Sequence, residues 1–99
     1  MNIFDFPQIP ISSEVSEILI KNENVTIERI VSCGNTTDWY DQAQNEFVIL
    51  LQGKAIIEYE TGEKINIKKG DTVYLPAHLK HRVAYTSKKP PCIWICMFW

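Results

Sequence analysis

The 99-residue sequence predicts an all-β sandwich or barrel of about eight or nine short strands. Three observations carry this. Apolar and polar side chains alternate with period two along most of the chain, as they do on strands with one buried face. Turn signals built on Gly, Asn, Asp and Pro recur every ~8–12 residues, the spacing of strand-rich domains. No stretch carries the 3.6-residue apolar repeat of a helix of useful length. Nothing in repeat structure or composition divides the chain. Residues 1–99 are therefore expected to form one domain, of a size that supports one core.

Taken in order, residues 1–15 form an N-terminal arm. Pro7 and Pro10 keep Met1 to Ile11 extended over the surface, with Phe4 and Phe6 as anchors. Ser12 to Glu17 could make one helical turn capped by Ser12 or Ser13. From Ser16 onward the alternation of Glu17, Leu19 and Lys21 with Ile18 and Ile20 favours a hairpin instead, turning at Asn22-Glu23-Asn24. The return strand, Val25 to Val31, is rich in strand formers, and Glu28 and Arg29 keep one edge of it polar. Cys33 to Asp38 is a loop by composition. Glu46 to Gln52 is almost continuously apolar and reads as a strand buried on both faces, ended by Gly53.

Lys54 to Glu60 then alternates, with Ala55, Ile57 and Tyr59 on one face, and Ile65 and Ile67 continue that face after the turn at Thr61-Gly62. Gly70-Asp71 turns into Val73-Tyr74-Leu75, and Pro76 closes that strand. The next strand places His81, Val83 and Tyr85 on one side. Lys88-Lys89-Pro90-Pro91 guards the last strand, Cys92 to Trp99. That strand is apolar on both faces, so its outer face needs a cover: the arm, or a second subunit. A homodimer is expected.

Composition narrows the function. Hydrophobic residues are 45% and aromatics 11%, the makeup of a folding chain. Ten Lys and Arg are dispersed among twelve Asp and Glu, giving a formal net charge of −2. With no basic stripe, nucleic acid is not an expected partner. Three cysteines argue against a closed disulfide framework and fit a reducing compartment. Cys92 and Cys96, on one strand, would lie roughly 13 Å apart, too far to bridge, and read as packing residues. The N-terminus lacks the marks of a signal peptide, and no apolar run approaches the ~20 residues of a spanning helix. The expectation is a soluble, cytoplasmic protein with no membrane partner.

Two polar stretches stand out by spacing. Gly34 is followed at fixed intervals by Tyr40, Gln42, Glu46 and Gly53, and Gly70 by Pro76, His78 and His81. The first stretch (residues 34–53) resembles the first motif of the cupin family, Gly-x5-His-x-His-x3-Glu-x6-Gly. The second (residues 70–85) is similar to the second motif, Gly-x5-Pro-x-Gly-x2-His-x3-Asn. The resemblance spans roughly residues 25–99. It implies a small antiparallel jelly-roll barrel of the single-domain bacterial type, with Tyr40, Gln42, Glu46 and His81 converging on its cavity.

The departures carry the functional argument. Tyr40 and Gln42 stand where the family has two histidines, His78 replaces a glycine, and Tyr85 occupies the asparagine position. Of the four family metal ligands only Glu46 and His81 remain. A phenol and an amide are poor donors for Mn, Fe, Ni or Zn beside imidazole. A divalent transition metal, if held through Gln42, Glu46 and His81, would be held weakly, and no cofactor is firmly implied.

Each singled-out residue has two readings. Glu46 shares a strand face with apolar Val48 and Leu50, so it is a ligand or general base, or else a structural acid paired with His81, Tyr40 or Gln42. His81 is a proton shuttle beside Glu46, or a core histidine bonded to a carboxylate or carbonyl. His78 is expected to face solvent in its turn. Trp39 and Trp94 line a pocket or fill the core. The leading expectation is a module that binds a small polar molecule through Tyr40, Gln42, Glu46, His81 and Tyr85. The alternative is an enzyme (an isomerase, decarboxylase or oxygenase), either metal-dependent or using Glu46 and His81 as catalytic acid and base. In a third reading the barrel interior is filled by side chains and serves assembly alone.

Overall fold

A computed structural model describes residues 1–6 and 13–99. Eight strands follow one another: β1 (Val15–Lys21), β2 (Thr26–Ser32), β3 (Glu46–Gln52), β4 (Lys54–Tyr59), β5 (Lys64–Lys68), β6 (Thr72–Leu75), β7 (His81–Thr86) and β8 (Cys92–Phe98). They form a five-stranded sheet in the order β1-β2-β8-β3-β6 and a three-stranded sheet in the order β5-β4-β7, with every pairing antiparallel. This is the all-β jelly-roll architecture that the alternation and turn spacing predict. No helix among the described residues is long and apolar enough to cross a membrane.

The turns form where side chains replace missing ladder bonds. Asn22 Oδ1 accepts from the amides of Asn24 and Val25, closing the β1–β2 hairpin. Asp71 Oδ2 accepts from Lys68 N and closes the β5–β6 turn. The chain crosses from one sheet to the other at Gly53, whose φ of +90° suits glycine alone. A Cβ there would sit 2.9 Å from the Cys92 Cα, so the corner also needs glycine for its close approach.

The inward rows of the two sheets make the core. Val48 and Leu50 of β3, Ala55 and Ile57 of β4, Ile67, Val73, Leu75, and Cys92, Trp94 and Cys96 of β8 are all buried against one another. All three cysteines are free thiols, and Cys92 and Cys96 pack as expected. β3 is buried on this row only, because its other row (Phe47, Ile49, Leu51) is half-exposed on the outer side. β8 is no edge. It lies between β2 and β3, with Ile93 fully sealed and Ile95 and Met97 half-buried on the outer side.

Two expectations about the N-terminal half need correction. Arg29 does not keep an edge polar; it is 3% exposed. Its guanidinium lies under the N-terminal residues and donates to the carbonyls of Ile3 and Asp5 and to Glu17. The arm is thus held through its backbone by an arginine. Phe4 is 54% exposed and so is no buried anchor among the described residues, while Phe6 is half-buried. The helical turn from Ser12 lies partly outside the described residues, and from Val15 the chain is strand. The remainder of the arm, residues 7–12, also lies outside them.

Candidate functional site

Antiparallel pairing brings the start of β3 beside the ends of β6 and β8, and β7 begins across from them. Glu46 pairs with Leu75 and Phe98. An isolated bridge joins Tyr40 to His81, with Tyr40 N donating to His81 O at 2.7 Å and His81 N to Tyr40 O at 3.1 Å. That bridge ties the first polar stretch to the second. Between the sheets at this end lies a cavity of ≈ 280 Å3. Its apolar wall includes Ile30, Val48, Ile57, Val83, Trp94 and Phe98, and its polar groups include Thr37, Tyr40, Gln42, Glu46 and His81.

Glu46 is 8% and His81 5% exposed. Gln42 Nε2 donates to Glu46 Oε1 at 2.9 Å. His81 Nε2 stands 3.8 Å from the same oxygen, beyond a hydrogen bond. On its other side, His81 Nδ1 lies 2.8 Å from the Leu79 carbonyl, which can only accept. Nδ1 therefore carries a proton, and in the neutral ring Nε2 presents a lone pair to the cavity. The Tyr40 ring tilts over the imidazole with centroids 5.7 Å apart. Burial, and then the carboxylates of Glu14 and Glu46, push the Tyr40 phenol above its ordinary value of 10.0. It is a neutral hydroxyl at physiological pH.

The structure thus brings together four of the five residues expected to bind a ligand. Tyr85 is the exception. The register between β4 and β7 pairs Ile57 with Val83 but Ile56 with Tyr85, leaving Ala84 as an extra residue. This bulge reverses the alternation, so Val83 and His81 face the cavity while Tyr85 is 49% exposed on the outer side. His78 is exposed as expected and contacts Asp41 at 2.8 Å. It adopts φ of +63°, the left-handed conformation that glycine would take at this position of the motif. Trp94 lines the cavity, whereas Trp39 is 41% exposed with the Arg82 guanidinium 4.9 Å from its ring.

Sequence reading missed Glu14, Glu28 and Cys96, all of which line the cavity. Glu28 left a usable signal. It adjoins Arg29, and consecutive strand residues face opposite sides of a sheet, so one of the two had to point inward. Glu14 precedes β1 and accepts from Ser32 Oγ at 3.2 Å, and Ser32 Oγ in turn accepts from Trp94 Nε1 at 3.1 Å. Burial, then repulsion from Glu28 and Glu46, raises the Glu14 carboxyl above its ordinary value of 4.5. Burial and the adjacent Glu46 hold the Cys96 thiol well above 9.0, so it stays protonated and unreactive.

Of the four positions that hold metal in the family's metal-dependent members, only Glu46 and His81 carry strong donors here. Gln42 donates its Nε2 to Glu46 and Tyr40 is a neutral phenol. Among the described residues no cluster of three or more His, Cys, Asp or Glu side chains is arranged to hold an ion.

Comparison with known proteins agrees with this fold. Residues 31–98 match the family model described as Cupin domain. A candidate mannose-6-phosphate isomerase from Ralstonia eutropha JMP134 superposes with a TM-score of 0.93 at 32% identity, covering 99% of this chain and 94% of that one. KdgF from a Halomonas species superposes at 0.78 with 16% identity, over 99% and 89% of the two chains. The polyketide cyclase RemF of Streptomyces resistomycificus superposes at 0.77 with 13% identity, over 88% and 65%. A protein of Methanocaldococcus jannaschii is 29% identical over 72 residues, 72% of this chain, and this match spans only 57% of that relative's length. The chain belongs to the cupin family.

Proposed function

We propose that this cupin is a binding module that takes a small polar molecule between its sheets without a tightly held transition metal. The observation that carries this reading is Nε2 of His81, on a side chain 6% exposed. It is aimed into the cavity, and no partner among the described residues lies within hydrogen-bond distance. Beside it Glu46 keeps acceptor capacity beyond its one bond to Gln42. Polar groups converging in an otherwise apolar cleft are the usual form of a small-molecule site. A thermal-shift and calorimetric screen of polar metabolites against the untagged protein tests this. A hit whose binding is lost in Glu46→Gln and His81→Ala, with both variants still folded, is the expected result. Binding that survives both substitutions would move the site elsewhere.

The enzyme reading draws support from one comparison, the isomerase candidate at 32% identity. In that reading Glu46 and His81 would exchange a substrate proton as base and acid. Turnover of mannose 6-phosphate with and without added Mn, Fe, Ni or Zn would establish it, and no turnover is expected. A second copy of the chain is the proposed protein partner, on the outer side of the five-stranded sheet. There Phe47, Ile49, Ile95 and Met97 are half-buried, and Tyr74 stacks on Trp99 with ring centroids 6.0 Å apart. A monomeric mass by sedimentation at micromolar concentration would end that idea.

A further inference from the structure

Three carboxylates line the cavity: Glu14 ahead of β1, Glu28 on β2 and Glu46 on β3. No lysine or arginine joins them among the described residues. His81 is the one basic side chain among the lining residues. Of the three, Glu46 is buried and Glu14 and Glu28 are half-buried, and acids withdrawn from water are normally paired with a base. Elsewhere in the chain the buried Arg29 pairs with the exposed Glu17, and Arg82 with the half-buried Glu58. Inside the cavity the carboxylates receive only neutral donors, Ser32 for Glu14 and Gln42 for Glu46, while Glu28 makes no hydrogen bond among the described residues.

A second observation points the same way. His81 Nε2, on a side chain 6% exposed, has no described residue within hydrogen-bond distance, and in the neutral ring it offers a lone pair. What is missing from this site is therefore a donor that also carries positive charge. The aromatic wall of Trp94, Tyr40 and Phe98 suits such a group, since ring faces attract cations.

We infer that the ligand of this cavity is a small organic cation, a protonated amine on an apolar or aromatic body, and that phosphorylated or carboxylated molecules are excluded. The inference rests on the binding-module reading and gives it a chemical class. An ammonium group supplies three donors and no acceptor, matching a site of acceptors. An anion would enter against three carboxylates with no lysine or arginine to receive it and His81 as the one base. The cavity volume, just under the ~300 Å3 lower end of ligand pockets, limits the body to a small one.

Three probes of similar shape separate charge from size: 2-phenylethylammonium, 2-phenylethanol and 3-phenylpropanoate, each titrated into the 15N-labelled protein at pH 7.5 and followed on the amides of Thr37, Val48 and Val83. The amine should bind at least tenfold tighter than the alcohol, and the carboxylate should produce no shifts. In Glu28→Gln, which has no hydrogen bond to lose, the amine's advantage should shrink severalfold while the alcohol's Kd stays put; the amide spectrum reports whether the fold is intact. Equal binding of amine and alcohol, or tighter binding of the carboxylate or of mannose 6-phosphate, overturns the cation inference and leaves the binding module standing. Mg2+ or Ca2+ shifting the same amides at lower concentration than the amine also overturns it, in favour of an inorganic cation. A cavity that takes no probe, charged or neutral, removes both readings.

Discussion

The two ends of the sandwich use similar polar side chains to opposite purposes. At the Gly53 end every buried polar group is answered by the protein. Ser87 Oγ donates to Pro90 O at 2.6 Å and accepts from Lys54 N at 3.0 Å. The Cys92 thiol donates to Lys54 O at 3.2 Å, and Thr86 Oγ1 donates to Asn35 O at 2.6 Å. At the Glu46 end an imidazole nitrogen and parts of three carboxylates face a cavity. Satisfied groups hold sheets together, and unsatisfied ones wait for a partner. The contrast teaches that stability and binding are divided along the strands of this fold, about six residues apart.

That division can be attacked from its stable end first. Gly53→Ala forces a side chain into left-handed backbone and against the Cys92 Cα at 2.9 Å. The loss should be about 3 kcal/mol, read from urea unfolding, because strain and overpacking add. An unchanged midpoint would mean that the corner yields and that the closed end is looser than its contacts imply.

A smaller effect is expected midway between the ends. Ser32→Ala strips Trp94 Nε1 of its acceptor and Glu14 of its donor, and should cost about 1–2 kcal/mol. If the loss is negligible, water replaces the hydroxyl and the Trp94 wall is not fixed by this bond.

The smallest change belongs to the open end and appears in pH dependence. Because the folded state raises the Glu14 pKa above 4.5, it binds that proton more tightly than the unfolded chain does. Stability from this group is therefore complete below 4.5 and is lost as pH rises through the higher folded value. Glu14→Gln should flatten that decline in a series of unfolding curves across mildly acidic pH. A decline identical to the wild type would place the titration on another group.

Much of this was legible beforehand. Period-two alternation placed the core row of β4, and the motif spacing brought Glu46 and His81 to one cavity, whereas the unbroken apolar run of β3 hid which of its rows faces in. What escaped were features that period two cannot encode. Glu28 and Arg29 are adjacent, so pattern alone cannot say which faces in; β8 and the N-terminal carbonyls decide it. Glu14 precedes any strand and owes its place to Ser32, which is distant in sequence. Phe4 looked like an anchor because it is large and apolar, yet the arm is held by hydrogen bonds to its backbone, which no side-chain pattern records.

The bulge at Ala84 has a wider meaning. It splices two reading frames within one six-residue strand: His81 and Val83 are read by the interior, Tyr85 by the exterior. Paired without the bulge, the same six residues would put Tyr85 on the inward row with His81 and Val83, and a second hydroxylated ring would join the cavity wall. In this fold the ligand-facing alphabet can be rewritten by register alone, with no substitution in the site.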